Sequence, residues 1–524
     1  MTDATIASPV TPNQMIPPLL EQNDQWTDRM LEDTGIPVTD MPFVSVGGGM
    51  GSFITVDYLR VAGGMPASQI RVLSNLSQPW QTYEYLARVS QLPRAKRIRS
   101  DSASRPDNIW GFPSFALQEA VQQKSLRPLL QVLVEPVFAN FYTPVLGTLL
   151  DGIEREAHRI GYWDMLVQGD VQLVRRRAGS GYFTLLAPRA AGSPQQSAEL
   201  ADLIAFRSRD VHLAMGYPGL RFLPDLQDFR ERMNDFHHVV NGYEDHEHVY
   251  EALRRKPGVV LIRGGGIVAS AVLDRLINDR LQYGSQTQIL HLFRTYFADN
   301  HGPHPWARRR GRDGFAYQGF NYPKSAWGGQ LKARMRRLEG ADRVRMYNEI
   351  GGTTTAWRRH WQRGMRAARR GGWYRAQAGM IVDLQFDESP GDSALAARVR
   401  VPAGELDIKV DYIIDCTGLE SDMAENQVLR DLLQHGGATR NPLGRLDVER
   451  NFQVRGADSG YGRLYATGAA SFGGYFPGVD TFLGLQISAQ EVVDDIAERG
   501  YCHRMGPMRS IAGWLRWISG RQVQ

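Results

Sequence analysis

Two short stretches carry the residue types best suited to holding a phosphorylated ligand: "FVSVGGGMGSF" at 43–53 and "VLIRGGGIVAS" at 260–270. In a strand–turn–helix unit that grips a dinucleotide, glycine serves three ends. It permits the tight turn off the strand, lets the backbone approach the pyrophosphate, and lets the helix pack closely on the strand. The pyrophosphate then lies at the helix N-terminus, where free amides and the helix dipole favour an anion. In the first stretch Gly47 and Gly49 take the first two positions and Ser52 the third, with Gly48 and Gly51 between them. In the second, Gly264 and Gly266 take the first two and Ala269 the third, with Gly265 between. Such patterns also arise by chance in plain glycine loops, so the flanks must support them.

The flanks do. Phe43 to Val46 reads as a short apolar strand, residues 53–62 have helical spacing, and "QIRVLS" (69–74) supplies a second strand. That strand ends on Ser74, where an acid holding ribose hydroxyls is expected. Val259 to Ile262 forms the strand of the second unit, its helix extends to about Ile277, and "TQILHLFR" (287–294) follows, ending on Arg294. A guanidinium at that place pairs with a 2′-phosphate that an acid would repel, which leans toward NADPH over NADH. Three further stretches run from an apolar strand into a small-residue turn: "RDVHLAMGYPG" (209–219), "VDYIIDCTG" (410–418) and "GRLYATGAASFGG" (462–474). The last two place Thr417, Gly418 and Gly468 at strand ends.

This order of motifs resembles the flavoproteins with two dinucleotide-binding domains, and within them the N-hydroxylating flavin-dependent monooxygenases. The C-terminal "PGVDTFLGLQISAQEVVDDI" (477–496) is similar to the closing flavin segment of that group. The resemblance spans about residues 42–497 in layout. It implies an α/β fold of two Rossmann-like domains, with the NAD(P)H domain inserted in a discontinuous FAD domain. It also implies FAD pyrophosphate at Gly47, Gly49 and Ser52, and NADPH at Gly264, Gly266 and Ala269 with Arg294 near its adenosine phosphate. Gly478, Asp480 and Thr481 would approach the flavin at the start of the last long helix. Two departures stand out: Ser74 replaces the ribose-binding acid, and Gly468-Ala469 stands where many flavoprotein reductases have Gly-Asp.

The expected organisation is an N-terminal arm (1–41), a first flavin segment with an insertion (42–225), a linker (226–256), a nucleotide domain with a basic insertion (257–420), a second flavin segment (421–500) and a basic amphipathic C-terminal helix (501–524). A chain of 524 residues accommodates several domains, and 42% hydrophobic with 22% charged residues is ordinary for a soluble protein. No run of about 18 uninterrupted apolar residues calls for a membrane span. The polar N-terminus lacks the marks of a secretory signal, so a cytoplasmic protein is expected. Only Cys416 and Cys502 are present, without a Cys-x-x-Cys pair, which argues against a disulfide framework, a zinc site or a vicinal-thiol enzyme.

No Ser-His-Asp order or His-x-x-x-His pair supplies a nucleophile or metal site, as suits a cofactor that carries the chemistry. His246 and His248, two apart, suit hydrogen bonding better than a metal. "NIWGFPS" offers Asn108, Trp110 and Ser114 as polar or aromatic candidates near an entry path. The net charge of +5 is concentrated in "ARRRGR" (307–312), "WRRHWQRGMRAARR" (357–370) and the C-terminal "RSIAGWLRWISGR". The C-terminal segment places Ile511, Trp514, Leu515 and Ile518 on one helical face, which fits either a membrane surface or the protein's own flavin domain. The expected partner is a small-molecule substrate and not a nucleic acid, with the basic segments as candidate contacts for an acidic partner or a membrane face. Three functions remain open: a monooxygenase, a reductase passing electrons to a quinone or protein, and a non-catalytic nucleotide-binding protein. Oligomeric state is not legible.

Overall fold

The computed structural model describes residues 16–98, 112–138, 142–189, 203–300, 311–317, 330–350, 355, 359–387, 394–420, 422–476, 478–504 and 506–523. The strand Phe43–Val46 lies at the centre of a large sheet, with Ile70–Ser74 on one side and Asp210–Leu213 on the other, both parallel to it. Leu464–Ala466 continues the parallel set beyond Asp210–Leu213, and the start of Leu166–Arg177 continues it beyond Ile70–Ser74. The four strands Phe43–Val46, Ile70–Ser74, Asp210–Leu213 and Leu464–Ala466 are almost wholly buried, as expected where helices cover both faces of a parallel sheet. The remainder of Leu166–Arg177 turns into an antiparallel meander with Tyr182–Pro188 and Ile204–Ser208.

The second sheet has five parallel strands, in the order Tyr374–Ala378, Gln288–Phe293, Val259–Arg263, Tyr412–Asp415, Val239–Asn241. Every one of them falls between Leu213 and Leu464, so one Rossmann-like sheet is inserted within the sequence of the other. A three-stranded antiparallel sheet, Met380–Phe386, Leu395–Val401 and Gly404–Val410, packs on it through Ile381, Leu395 and Val399 against Leu261, Leu292 and Ile413.

Three features differ from the sequence expectation. From residue 16 onward the N-terminal stretch is no arm. Leu20, Trp26 and Leu31 form a small core with Leu173, Phe183 and Leu185, the Trp26 indole donates to Leu20 O (2.8 Å), and Val38–Asp40 is an edge strand paired with Ile204–Ser208. The stretch 226–256 does more than link: Val239–Asn241 is a strand of the second sheet, and Glu247–Arg255 is a helix whose Val249, Tyr250 and Leu253 enter that unit's core. The second-turn helix runs past Ile277 to Tyr283, because the Arg275–Asp279 ion pair carries it through polar residues until Gly284 ends it with φ +70°.

Candidate functional site

Both glycine turns are built the same way. Each helix that follows, Met50–Val61 and Ile267–Tyr283, begins at a glycine in extended conformation: Gly49 at φ −81°, ψ −165°, and Gly266 at φ −92°, ψ −166°. Neither helix has a side-chain cap, which leaves first-turn amides to receive an anion. The first glycine of each turn has a φ that L-residues avoid, +122° at Gly47 and +110° at Gly264. A Cβ at Gly47 would lie 2.3 Å from Ala214 O, and one at Gly264 would lie 2.6 Å from Cys416 O. The Ala-Met-Gly and Cys-Thr-Gly strand ends are therefore the surfaces on which the two turns rest.

The carbonyls of both turns point into the protein. Gly47 O accepts from Ser74 Oγ (3.1 Å) and Gly48 O from Tyr162 Oη (3.0 Å). Gly264 O accepts from His291 Nε2, while His291 Nδ1 lies 3.0 Å from Tyr374 Oη. These three carbonyls are thereby held by side chains behind the turns, while the Gly47 and Gly264 amides donate to Leu73 O and Leu292 O in the neighbouring strands.

Ser74 also accepts from Leu76 N–H (3.0 Å), and its side chain fills the space beside Gly48, whose φ is +58°. It thus braces the turn from the place where a ribose-binding acid was expected. Gly51 lies where a Cβ would meet Ala214 and Leu485 at 3.3 Å and Thr467 Oγ1 at 3.6 Å, so the first-turn helix, two strand ends and the last long helix converge there. Ser52 turns into the core and bonds Ser45 Oγ at 2.6 Å. Ala269 is fully buried and packs its helix on the sheet. A Cβ at Gly265 would lie 3.0 Å from the Phe293 ring, and Arg294, the next residue, is exposed at the strand end.

Two buried histidines escaped the sequence reading. His212 bridges Ser45 Oγ (2.9 Å) and Thr467 Oγ1 (2.8 Å) beneath the first turn, and His291 supports the second. Complete burial pushes each imidazole down to about 3, so both are neutral hydrogen-bonding struts. Their signal was present: "DVHLA" and "ILHLF" each place a histidine inside an apolar strand beside a glycine turn.

The chain crosses between the units twice, and the crossings pair, with Leu220 bridged to Leu419 and Glu420 N–H donating to Gly219 O (2.9 Å). Asp415 anchors this crossing by accepting from Leu223 N–H (2.9 Å) and from the Thr417 amide (2.9 Å) and hydroxyl (2.6 Å); burial nevertheless raises its carboxyl above the ordinary range. Gly418 follows at φ +126°. Helix Gln81–Val89 and the loop after it also tie the units, through Arg88–Asp245 (3.3 Å), Gln91–Arg275 (2.9 Å) and Lys96–Asp274 (2.8 Å).

The insertion of the second unit reaches over the first. On helix Gly340–Ile350, the Tyr347 hydroxyl lies 3.0 Å from Gly474 O and 2.9 Å from Phe476 O, while Arg336 pairs with Glu491 at 2.9 Å. This strap borders the segment holding Gly468, Gly478, Asp480 and Thr481. Gly468 opens a short turn at φ +69°. Thr481 caps helix Phe482–Glu498, accepting from Gly484 N–H (3.1 Å) and donating to Gly478 O (2.8 Å). Asp480 is exposed and accepts from Tyr217 Oη at 2.7 Å.

Among the other candidates, His246 contacts Glu244 O and Tyr250 Oη, and His248 contacts His237 O. Among the described residues no group of His, Cys, Asp or Glu could hold a metal ion. Cys416 is buried behind the second turn. Asn108, Trp110, residues 307–310 and the side chain of Ser114 lie outside the described residues.

The architecture, an inserted Rossmann-like unit within a discontinuous one, is similar in fold to solved flavin-dependent amine hydroxylases. Among solved structures, ornithine hydroxylase from Pseudomonas aeruginosa superposes with a TM-score of 0.59 at 14% identity, covering 88% of this chain and 99% of that one. Ornithine N-hydroxylase from Kutzneria sp. 744, with reduced FAD, NADP+ and L-ornithine, gives 0.60 at 14% identity over 88% and 100%. The FAD-bound cadaverine monooxygenase of Erwinia amylovora gives 0.57 at 12% identity over 93% and 96%. The likeness is one of fold. No family model matches the sequence, and no curated protein matches it.

Proposed function

We propose that this chain is an FAD-dependent, NADPH-using oxidoreductase, a monooxygenase that hydroxylates a small molecule bearing a primary amine. The observation that carries the reading is the pair of identically built glycine turns, one on each of two interlocked sheets. A protein that binds one nucleotide has no use for the second. The cradle fits the cofactors: positive-φ glycines leave room for a pyrophosphate, carbonyls are tied back, and two uncapped helix N-termini face outward.

In this reading Gly47, Gly48, Gly49, Gly51, Ser52 and Ser74 form the FAD cradle, joined by Gly468, Gly478, Asp480 and Thr481. Gly264, Gly265, Gly266, Ala269, Arg294, Thr417 and Gly418 belong to the NADPH side. Bound FAD supplies hydride acceptance and oxygen activation, so no protein nucleophile is needed. The amides at the start of Phe482–Glu498 favour negative charge near them, and Asp480 holds Tyr217 at the mouth. The strap through Tyr347 closes one side against water. The amine substrate is argued from the ornithine and cadaverine enzymes that share the fold. The basic segments are read as contacts for an anionic partner or membrane face.

The test is turnover with FAD, NADPH, oxygen and a panel of ornithine, lysine and simple diamines, with products analysed by mass spectrometry. Gain of one oxygen atom in an amine, matched to NADPH consumed, is expected. NADPH oxidation that runs only with an added quinone and leaves every amine unchanged would replace the monooxygenase by a reductase.

A further inference from the structure

We propose that the flank formed by the C-terminal helix Pro507–Ile518 and the hairpin of helices Phe112–Gln122 and Arg127–Phe138 docks on an anionic lipid surface. The C-terminal helix is fixed to the body by one side. Arg509 donates to Ala62 O (3.2 Å), Gly513 is buried, and the tail beyond is held by Val523 N–H to Arg159 O (2.9 Å) and Arg60 to Val523 O (2.9 Å). Its other side carries Met508, Ile511 and Leu515 at helical spacing, exposed by 78%, 55% and 55%. Docking on the protein's own domain therefore does not account for this apolar row.

The hairpin adds Val121, Leu126, Leu130 and Leu133, all likewise exposed. Both segments rest on the helix Leu146–Ile160, at side chains one turn apart: Arg155 bonds Gln118 of the hairpin, and Arg159 bonds Arg521 O of the tail. They lie on one flank. Residues 501–524 contain Arg504, Arg509, Arg516 and Arg521 and no acid, and the hairpin carries Lys124 and Arg127 beside Glu119, which pairs with Arg97, and Glu135.

Apolar side chains ringed by arginine suit the interface of an anionic bilayer, where the row enters the headgroup boundary and the cations remain among phosphates. A second copy is disfavoured on the same grounds, since a two-fold interface sets each patch against itself and would bring the exposed Arg516 toward its own counterpart. Arg509 touches Ala62, just past the end of the first-turn helix, so the flank lies about 18 Å along that helix from its N-terminus. Lipid contact there leaves the first glycine turn uncovered.

The full-length protein should sediment with vesicles of phosphatidylcholine containing about one-third phosphatidylglycerol, but not with phosphatidylcholine alone, and high salt should weaken binding. The triple variant Met508→Ser, Ile511→Ser, Leu515→Ser removes only exposed side chains and should lower vesicle partitioning at least about tenfold without changing thermal unfolding. A second variant, Leu126→Ser with Leu130→Ser, should weaken it independently. Wild-type failure to bind anionic vesicles overturns the proposal. So does binding that the triple variant leaves unchanged, and so does a concentration-dependent dimer, abolished by the triple variant, in place of vesicle binding.

Discussion

Gly48 and Ser74 offer a direct test of how the first turn is built. Gly48 adopts φ +58°, and a methyl group there would lie 2.2 Å from both Cβ and Oγ of Ser74. Gly48→Ala therefore combines about 1–2 kcal/mol for a left-handed L-residue with about 1–3 kcal/mol for forcing a methyl into filled space. Ser74→Gly removes the obstructing atoms and leaves only Ser74 Cα at 3.6 Å, an ordinary contact. It loses the hydrogen bonds to Gly47 O and from Leu76 N–H, about 1–2 kcal/mol on its own. The double variant should then be more stable than the sum of the single effects by about 1–3 kcal/mol. Urea unfolding of the four proteins under one condition, with FAD affinity measured alongside, completes the cycle. Additivity within about 0.5 kcal/mol would refute the claim that Ser74 fills the space beside Gly48.

His212 and His291 should make stability fall with pH, because both are held neutral at a folded pKa of about 3 and take up protons when unfolded below about 6.5. The loss should reach about 2 kcal/mol per ring at pH 5, and His212→Gln should flatten the urea-midpoint profile between pH 7 and 5; an unchanged slope contradicts the burial argument. Arg294→Ala should raise the KM for NADPH roughly tenfold while leaving that for NADH nearly unchanged, as steady-state kinetics would read. Trp26→Ala should cost about 3–5 kcal/mol in urea unfolding, whereas a loosely draped N-terminal arm would show almost no effect.

The glycine turns were legible because they use the few residues that permit φ near +110° to +120° next to a neighbouring carbonyl, and composition records that need directly. The inserted fold was expected because the order of the turns and strand ends resembles that of flavoproteins with two dinucleotide-binding domains. What the two strand ends do was not legible: Ala214 and Cys416 act through backbone carbonyls, which no side chain advertises. Ser74 read as a missing acid, yet it braces Gly48, a role visible only once the two strands are paired in register. The N-terminal stretch read as polar because its buried set, Leu20, Trp26 and Leu31, is sparse and its partners lie about 150 residues away in sequence. The strap through Tyr347 depends on contacts across the units, which local periodicity does not encode.

The central claim is that two dinucleotides meet on this chain, one storing electrons and one delivering them. The absorption spectrum of the purified protein, reconstituted with FAD and then mixed anaerobically with NADPH, tests it most directly. The account predicts a protein-bound flavin spectrum that bleaches on NADPH addition and does so far more slowly in a Gly264→Ala variant that still binds FAD. A protein that takes up no flavin, or whose bound flavin NADPH does not reduce, would contradict it.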